Sequence, residues 1–195
     1  MVTIEDGGLL TRKPRADGVR NRERLLEAAK AGFAELGPQV SLEEIARRAE
    51  VGIGTLYRHF PTRDALVEAV YRHEVDQLTG SAVRLLETLP AGDALHEWMR
   101  MMVDYIAAKK VIVAALESGP DGATQLYASS GTRITDALGL LVERARTAGD
   151  IRPDADPADL LRALVGFAYG YGGPGWQASA LRLVDILMDG LRIAR

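Results

Sequence analysis

The chain has 195 residues, 47% of them hydrophobic, a formal net charge of −3 and no cysteine. That is enough apolar material for one or two packed domains, and it excludes disorder, disulfides, thiolate metal sites and a cysteine nucleophile. No run approaches the ~18 apolar residues of a membrane span, and MVTIEDGGLLTRKPR lacks the apolar centre of a signal peptide, so a cytosolic protein is expected.

Residues 1–18 are polar, carry glycines and are interrupted by Pro14, which predicts a flexible arm. Arg12, Lys13 and Arg15 in that arm could reach a minor groove, although for any single one of them a solvated tail without a role is the simpler explanation. A first helix is predicted from Val19 to Leu36, with Leu25, Leu26, Ala29, Phe33 and Leu36 inward, stopping at Gly37 and Pro38. Ser41 then stands three residues before Glu44, a capping box that starts a second helix with Leu42, Ile45, Ala46 and Ala49 on one face. After a turn at Glu50 to Gly52, the segment Gly54 to Phe60 has room for about two helical turns, with Leu56 and Phe60 an inward i, i+4 pair. A helix this short is marginal in water alone and must dock on its neighbours. Its outward side offers Thr55, Tyr57, Arg58 and His59, donors that suit phosphates and base edges, while Gly54 lets a backbone come close. Two short helices across a tight turn form a helix-turn-helix, and DNA binding is the expected activity.

Charge supports this placement: residues 11–63 hold 11 Lys and Arg against 7 Asp and Glu, whereas 64–195 hold 13 against 18. Arginines outnumber lysines 20 to 4, which favours bidentate contacts to phosphate and guanine, or equally reflects a GC-rich coding sequence. Thr62 caps the next helix, with Asp64 in its first turn and Leu66 and Val70 on its apolar side. Beyond Leu85 only helical patterns follow: residues 94–107, 110–117, 123–148, 157–171 and 175–193. No segment alternates like a strand. The predicted fold is therefore all-α, with an N-terminal three-helix DNA-binding domain over 19–63 and a larger helical domain over 64–195. Gly170, Gly172 and Gly175 spell GxGxxG without a preceding strand, which makes them an interhelical loop. His73 and Glu74 begin like a zinc-binding helix, but Gln77 stands where the second histidine belongs. With only His59, His73 and His96 and scattered carboxylates, no catalytic set converges, and neither an enzyme nor a bound cofactor is expected.

The segments AGFAELG (31–37), VSLEEIARRAEV (40–51), GTLYRHF (54–60) and PTRDAL (61–66) together resemble the TetR family of transcriptional regulators, in order and spacing. Glu50 and Gly52 depart from the family pattern, which often has Gly and then Ser or Thr at these turn positions. Glu50 at positive φ would cost about 1 kcal/mol. The resemblance implies a dimer that binds a palindromic double-stranded DNA operator and answers to a small effector, most often as a repressor. By that resemblance Ile53, Gly54, Thr55 and Arg58 lie near base edges, and Ser41, Tyr57, His59 and Arg63 hold phosphates. The last two helices would form a four-helix dimer bundle. Their own pattern agrees, since Leu160, Leu161, Leu164, Phe167, Val184, Leu187 and Leu191 make an apolar surface wider than one core stripe requires.

An effector cavity is expected around Trp98, Met101, Met102, Tyr105 and Ile106, with Tyr127, Phe167, Tyr169, Tyr171 and Trp176 as far walls, although plain core packing explains any one of them. Such walls suit an apolar or aromatic compound. Two rival readings stay open: an architectural DNA-binding protein without effector, and a small-molecule-binding helical protein with a vestigial helix-turn-helix.

Overall fold

The computed structural model describes residues 14–116, 130–170 and 173–193, and among them are eight helices and no strand, only an isolated bridge between Ile151 and Arg192. They are α1 (Pro14–Leu36), α2 (Leu42–Arg48), α3 (Ile53–His59), α4 (Arg63–Thr88), α5 (Ala91–Ala114), α6 (Ser130–Thr147), α7 (Pro157–Tyr169) and α8 (Trp176–Leu191). No helix among the described residues is long and apolar enough to cross a membrane.

Local chemistry sets most of the ends. α1 runs until Gly37, whose φ of 87 no L side chain adopts easily. It begins five residues earlier than the arm boundary predicted, at Pro14, because proline fits the first helical turn and Asp17 accepts from Arg20 one turn on. Arg12 and Lys13 lie outside the described residues. Ser41 Oγ caps α2 by accepting from the Glu44 amide at 3.2 Å, and Thr62 Oγ1 caps α4 by accepting from the Ala65 amide at 3.1 Å. Asp156 Oδ1 accepts from the amides of Ala158 and Asp159 to start α7, with Pro157 in its first turn. The two predicted helices between residues 94 and 117 are one continuous α5, since Ala108, Lys109 and Lys110 break no helix.

α4 is the spine. It packs against α1 on one side and α5 and α6 on the other, while α5 also meets α1, α7 and α8. The head closes over Leu25, Leu26, Phe33, Ile45, Leu56 and Phe60, each at most 3% exposed, and this apolar core continues without a gap into Leu66, Val70, Trp98 and Met99 of the body. α3 contributes a single fully buried residue, Leu56, and docks on α2. Seven residues make too few backbone bonds to hold a helix alone, so this docking is what orders it.

Candidate nucleic-acid interface and helical cavities

The turn before α3 is held from outside. Glu50 has φ 52, the left-handed region, and no other non-glycine does so among the described residues. Arg24 of α1 donates to both its carbonyl, at 3.3 Å, and its carboxylate, at 3.0 Å. A long-range bond thus offsets strain that a glycine would avoid. Gly52 caps α3 with no side-chain bond, as expected from the missing hydroxyl.

Along α3 the residues sort by periodicity. Ile53, Gly54, Tyr57 and Arg58 recur at spacings of three and four and are exposed, Leu56 is sealed beneath them, and Thr55 and His59 lie half-buried at the flanks. Six of the eight residues expected to meet DNA are therefore the whole of α3 except Leu56. Ser41 is also exposed, at the start of α2.

The arginines of the head are mostly committed. Arg20 pairs with Asp17, Arg24 with Glu50, Arg47 with Glu44, and Arg48 with Glu35 and Glu44, while Arg22 lies 5.4 Å over the Phe60 ring. Glu44 does not reach back to complete the capping box but forks to Arg47 and Arg48, whose guanidiniums hold its carboxyl down to about 2. Arg58 alone among them has no partner among the described residues.

Arg63 is engaged within the protomer. Expected from the sequence to hold a phosphate, its guanidinium donates to the carbonyls of Pro38 and of Val40, the latter at 2.7 Å, and its Nε to the Ala115 carbonyl at 3.4 Å. It also lies 5.7 Å over the Phe33 ring. Carbonyls left over at the α1–α2 loop and at the end of α5 need a donor, and the first residue of α4 is the one within reach. Arg63 thereby joins the head to the body.

In the body, a cavity of about 210 Å³ opens where α5, α6 and α7 meet, lined among others by Met102, Tyr105, Ile106, Ile134, Leu161, Val165 and Tyr169. Lys109, Ser130, Tyr105 and Tyr169 are the lining residues with polar side-chain groups, and burial pushes the Lys109 ammonium down from its ordinary value. Tyr105 donates to the Tyr71 hydroxyl at 3.2 Å, and Tyr71 meets Ser130 Oγ at 2.7 Å, so three buried hydroxyls connect α5, α4 and α6.

Of the expected walls, Met102, Tyr105, Ile106 and Tyr169 are found there. Trp98 is not: it is 0% exposed, and its indole N–H donates to the Leu78 carbonyl at 2.9 Å, which makes it core. Met101 borders a different cavity, beside Glu74. Trp176 belongs to a groove on α1 and α5, where Lys110 sits 4.0 Å from its ring and 4.7 Å from that of Tyr169. Phe167 is half-buried against the core, and Tyr127 and Tyr171 lie outside the described residues. Lys109, Ser130 and Ile134 escaped the sequence reading, because a lysine and a serine on helices read as solvated positions.

The expected dimer residues divide likewise. Leu160, Leu164, Val184 and Leu191 are no more than 6% exposed within one protomer, so they fill its own core. Leu161, Phe167 and Leu187 are half-buried. The uncovered apolar side chains on these helices are their neighbours Val165, Tyr169, Leu183 and Ile186, the last 66% exposed.

Comparison with known proteins follows this division. Residues 25–70 match the family described as bacterial regulatory proteins, tetR family, and residues 90–193 match the SbtR-like transcriptional regulator C-terminal domain. The fold is similar to the TetR transcriptional regulator SCO0520 from Streptomyces coelicolor, with 43% identity, a TM-score of 0.81 and coverage of 89% of this chain and 99% of that one. A TetR transcription regulatory protein from Mycobacterium vanbaalenii is similar at 39% identity and a TM-score of 0.77, over 92% of this chain and 99% of that one. The HTH-type transcriptional regulator UidR of Escherichia coli (strain K12) is 25% identical over 154 residues, 76% of this chain and 78% of its own. With both halves of the chain matched in order, this protein belongs to the TetR family of DNA-binding transcriptional regulators.

Proposed function

We propose that this regulator is a dimeric repressor that binds a palindromic operator and releases it when a small apolar or aromatic effector enters the 210 Å³ cavity. The observation that carries the DNA-reading half is Arg58: a guanidinium on the exposed face of α3 with no partner among the described residues, in a head whose Arg24, Arg47 and Arg48 are already met by carboxylates. A guanidinium left open in this way is the group suited to bidentate contact with guanine. Gly54 supports the same face, since a Cβ there would meet nothing within 4 Å, so packing within the protomer does not require a glycine. Arg58 and Thr55, with the backbone around Ile53 and Gly54, read bases, while Tyr57, His59 and Ser41 hold phosphates. Arg63 is a positioning residue.

The exposed apolar side chains of α7 and α8 support dimerisation. Ser179, Leu183, Ile186 and Gly190 recur at spacings of four, three and four, a stripe suited to a symmetric helix pair. Two α3 helices then meet successive major grooves about 34 to 36 Å apart. Coupling runs through α4. An effector against Tyr105 and Ser130 disturbs their bonds to Tyr71, and α4 carries the shift to Arg63 and the carbonyls of the head. Typical coupling of this kind is worth about 1 to 3 kcal/mol. A cavity of 210 Å³ lies below the usual ~300 to 1,000 Å³ of ligand pockets, which favours a compact effector or a cavity that widens on binding.

The test is salt-dependent binding to the DNA upstream of the protein's own gene, against a scrambled fragment of equal length. A preference of about a thousandfold or more is expected. Equal, steeply salt-sensitive binding to both fragments would instead favour the architectural reading. For the effector half, a compound that saturates the protein yet leaves operator affinity unchanged would overturn it.

A further inference from the structure

A second cavity, of about 190 Å³, lies between head and body and is lined by Lys30 of α1, Glu74, Gln77 and Leu78 of α4, and Met101, Asp104 and Tyr105 of α5. It is distinct from the effector cavity proposed above, although Tyr105 borders both. Glu74 is 7% exposed. Its Oε2 meets Lys30 Nζ at 2.8 Å, whereas its buried Oε1 has no hydrogen-bond partner among the described residues. A buried carboxylate oxygen without a donor is unfavourable, and such atoms in folded proteins nearly always find one.

Charge tells which donor fits. Two carboxylates, Glu74 and Asp104, face one ammonium, Lys30, so the cavity keeps a negative balance beside apolar walls. Among the described residues no group of three or more metal-binding side chains gathers, which disfavours a metal ion and leaves an organic donor. We propose that this cavity binds a small alkylammonium ion, whose N–H donates to the Glu74 carboxylate as a turn about its last side-chain bond brings the shielded Oε1 to the wall, and whose hydrocarbon part lies on Leu78, Met101 and the Tyr105 ring. Charge-assisted bonding to a desolvated carboxylate supplies the selectivity for a cation over a neutral molecule of the same shape. Asp104, at the exposed rim, adds attraction without being buried.

The experiment titrates the full chain with n-pentylammonium, and separately with pentan-1-ol and pentanoate, following the Met101 methyl resonance and calorimetric heat. Saturable binding of the amine in the millimolar range is expected, with the alcohol and the acid weaker by about tenfold or more. Glu74→Gln is expected to lose about tenfold in amine affinity, and Asp104→Asn about threefold. Asp104 is exposed, so its variant keeps the fold and carries the test should Glu74→Gln fail to fold. The proposal is overturned if the alcohol binds as tightly as the amine, if neither variant changes amine binding, or if no compound moves the Met101 signal at ~100 mM, which would leave the cavity to solvent.

Discussion

α3 and α8 each leave one face uncovered, and the chemistry of those faces differs. α3 buries Leu56 and shows Tyr57 and Arg58 to the outside, whereas α8 buries Ala180, Val184, Met188 and Leu191 and shows Leu183 and Ile186. Solvent tolerates the first face, because a guanidinium and a phenol are well hydrated. It does not favour the second, where apolar area in water is a standing cost that another apolar face removes. On the function proposed above, the first face suits a polar polymer and the second a copy of itself.

The largest effect that would break this contrast is loss of the α8 face. Ile186→Glu places a carboxylate at the centre of the proposed interface, facing its symmetry mate, and should weaken the dimer by roughly a hundredfold or more, about 3 kcal/mol. Ile186 is 66% exposed, so the protomer should keep its helical circular dichroism. Analytical ultracentrifugation decides: a variant that stays dimeric at the same concentration removes α8 from the interface.

Next in size are two arginines that the sequence treats alike and the structure separates. Arg58→Ala should reduce discrimination between operator and scrambled DNA by about 1 to 3 kcal/mol while leaving stability near the wild type. Arg63→Ala strips a donor from the carbonyls of Pro38 and Val40 and should lower stability in urea by about 1 to 3 kcal/mol. Its salt slope should change by less than the one unit expected for a phosphate contact. If Arg63→Ala leaves urea stability intact and flattens the salt dependence, the sequence reading was the better one.

That pair shows what could be read beforehand. Helix existence, the two short helices and the caps at Ser41 and Thr62 were legible, because they rest on local spacing and local hydrogen bonds. So was the exposed face of α3, since a seven-residue helix with Leu56 inward leaves little choice. Arg63 was not legible: its partners Pro38, Val40 and Ala115 lie 25, 23 and 52 residues away. For α7 and α8 the pattern told that the apolar surface was wide, but not which half the protomer covers itself. The proposed face accordingly lies one residue along from Leu164 and Val184, at Val165 and Leu183. Cavity walls were least legible, because Trp98 in the core and Tyr105 on a cavity share one helix and one kind of side chain.

A smaller test separates what α3 needs for folding from what it needs for DNA. Gly54→Ala adds a Cβ into open space and removes backbone freedom from the unfolded chain, so it should stabilise the protein by about 0.5 to 1 kcal/mol. Operator binding should fall at the same time, since on the proposed reading the methyl stands where DNA comes close. Thermal denaturation and a binding isotherm on one preparation show whether the two changes have opposite signs. A variant that gains stability and keeps full affinity would show that the backbone of α3 does not approach the bases.

The smallest effect concerns how the head keeps its other arginines occupied. Glu44 is lowered from the ordinary 4.5 to about 2, first by its hydrogen bond from Arg47 and then by that from Arg48. A carboxyl whose folded value lies below its unfolded one contributes stability that is complete above the unfolded value and lost as pH falls through the folded value. The contribution of Glu44 is therefore whole above about pH 4.5, and declines from there towards pH 2. Glu44→Gln should remove that part of the acid limb and leave stability at pH 7 only slightly lower, because the pair is exposed and screened by solvent. In the body Asp185 is lowered in the same sense by His96 and then Arg100, and it survives in the Glu44 variant. The acid transition should thus shrink rather than vanish. Asp185→Asn on the same background should take a further part of it, whereas an unchanged transition in both variants would show that neither fork contributes to the folded state.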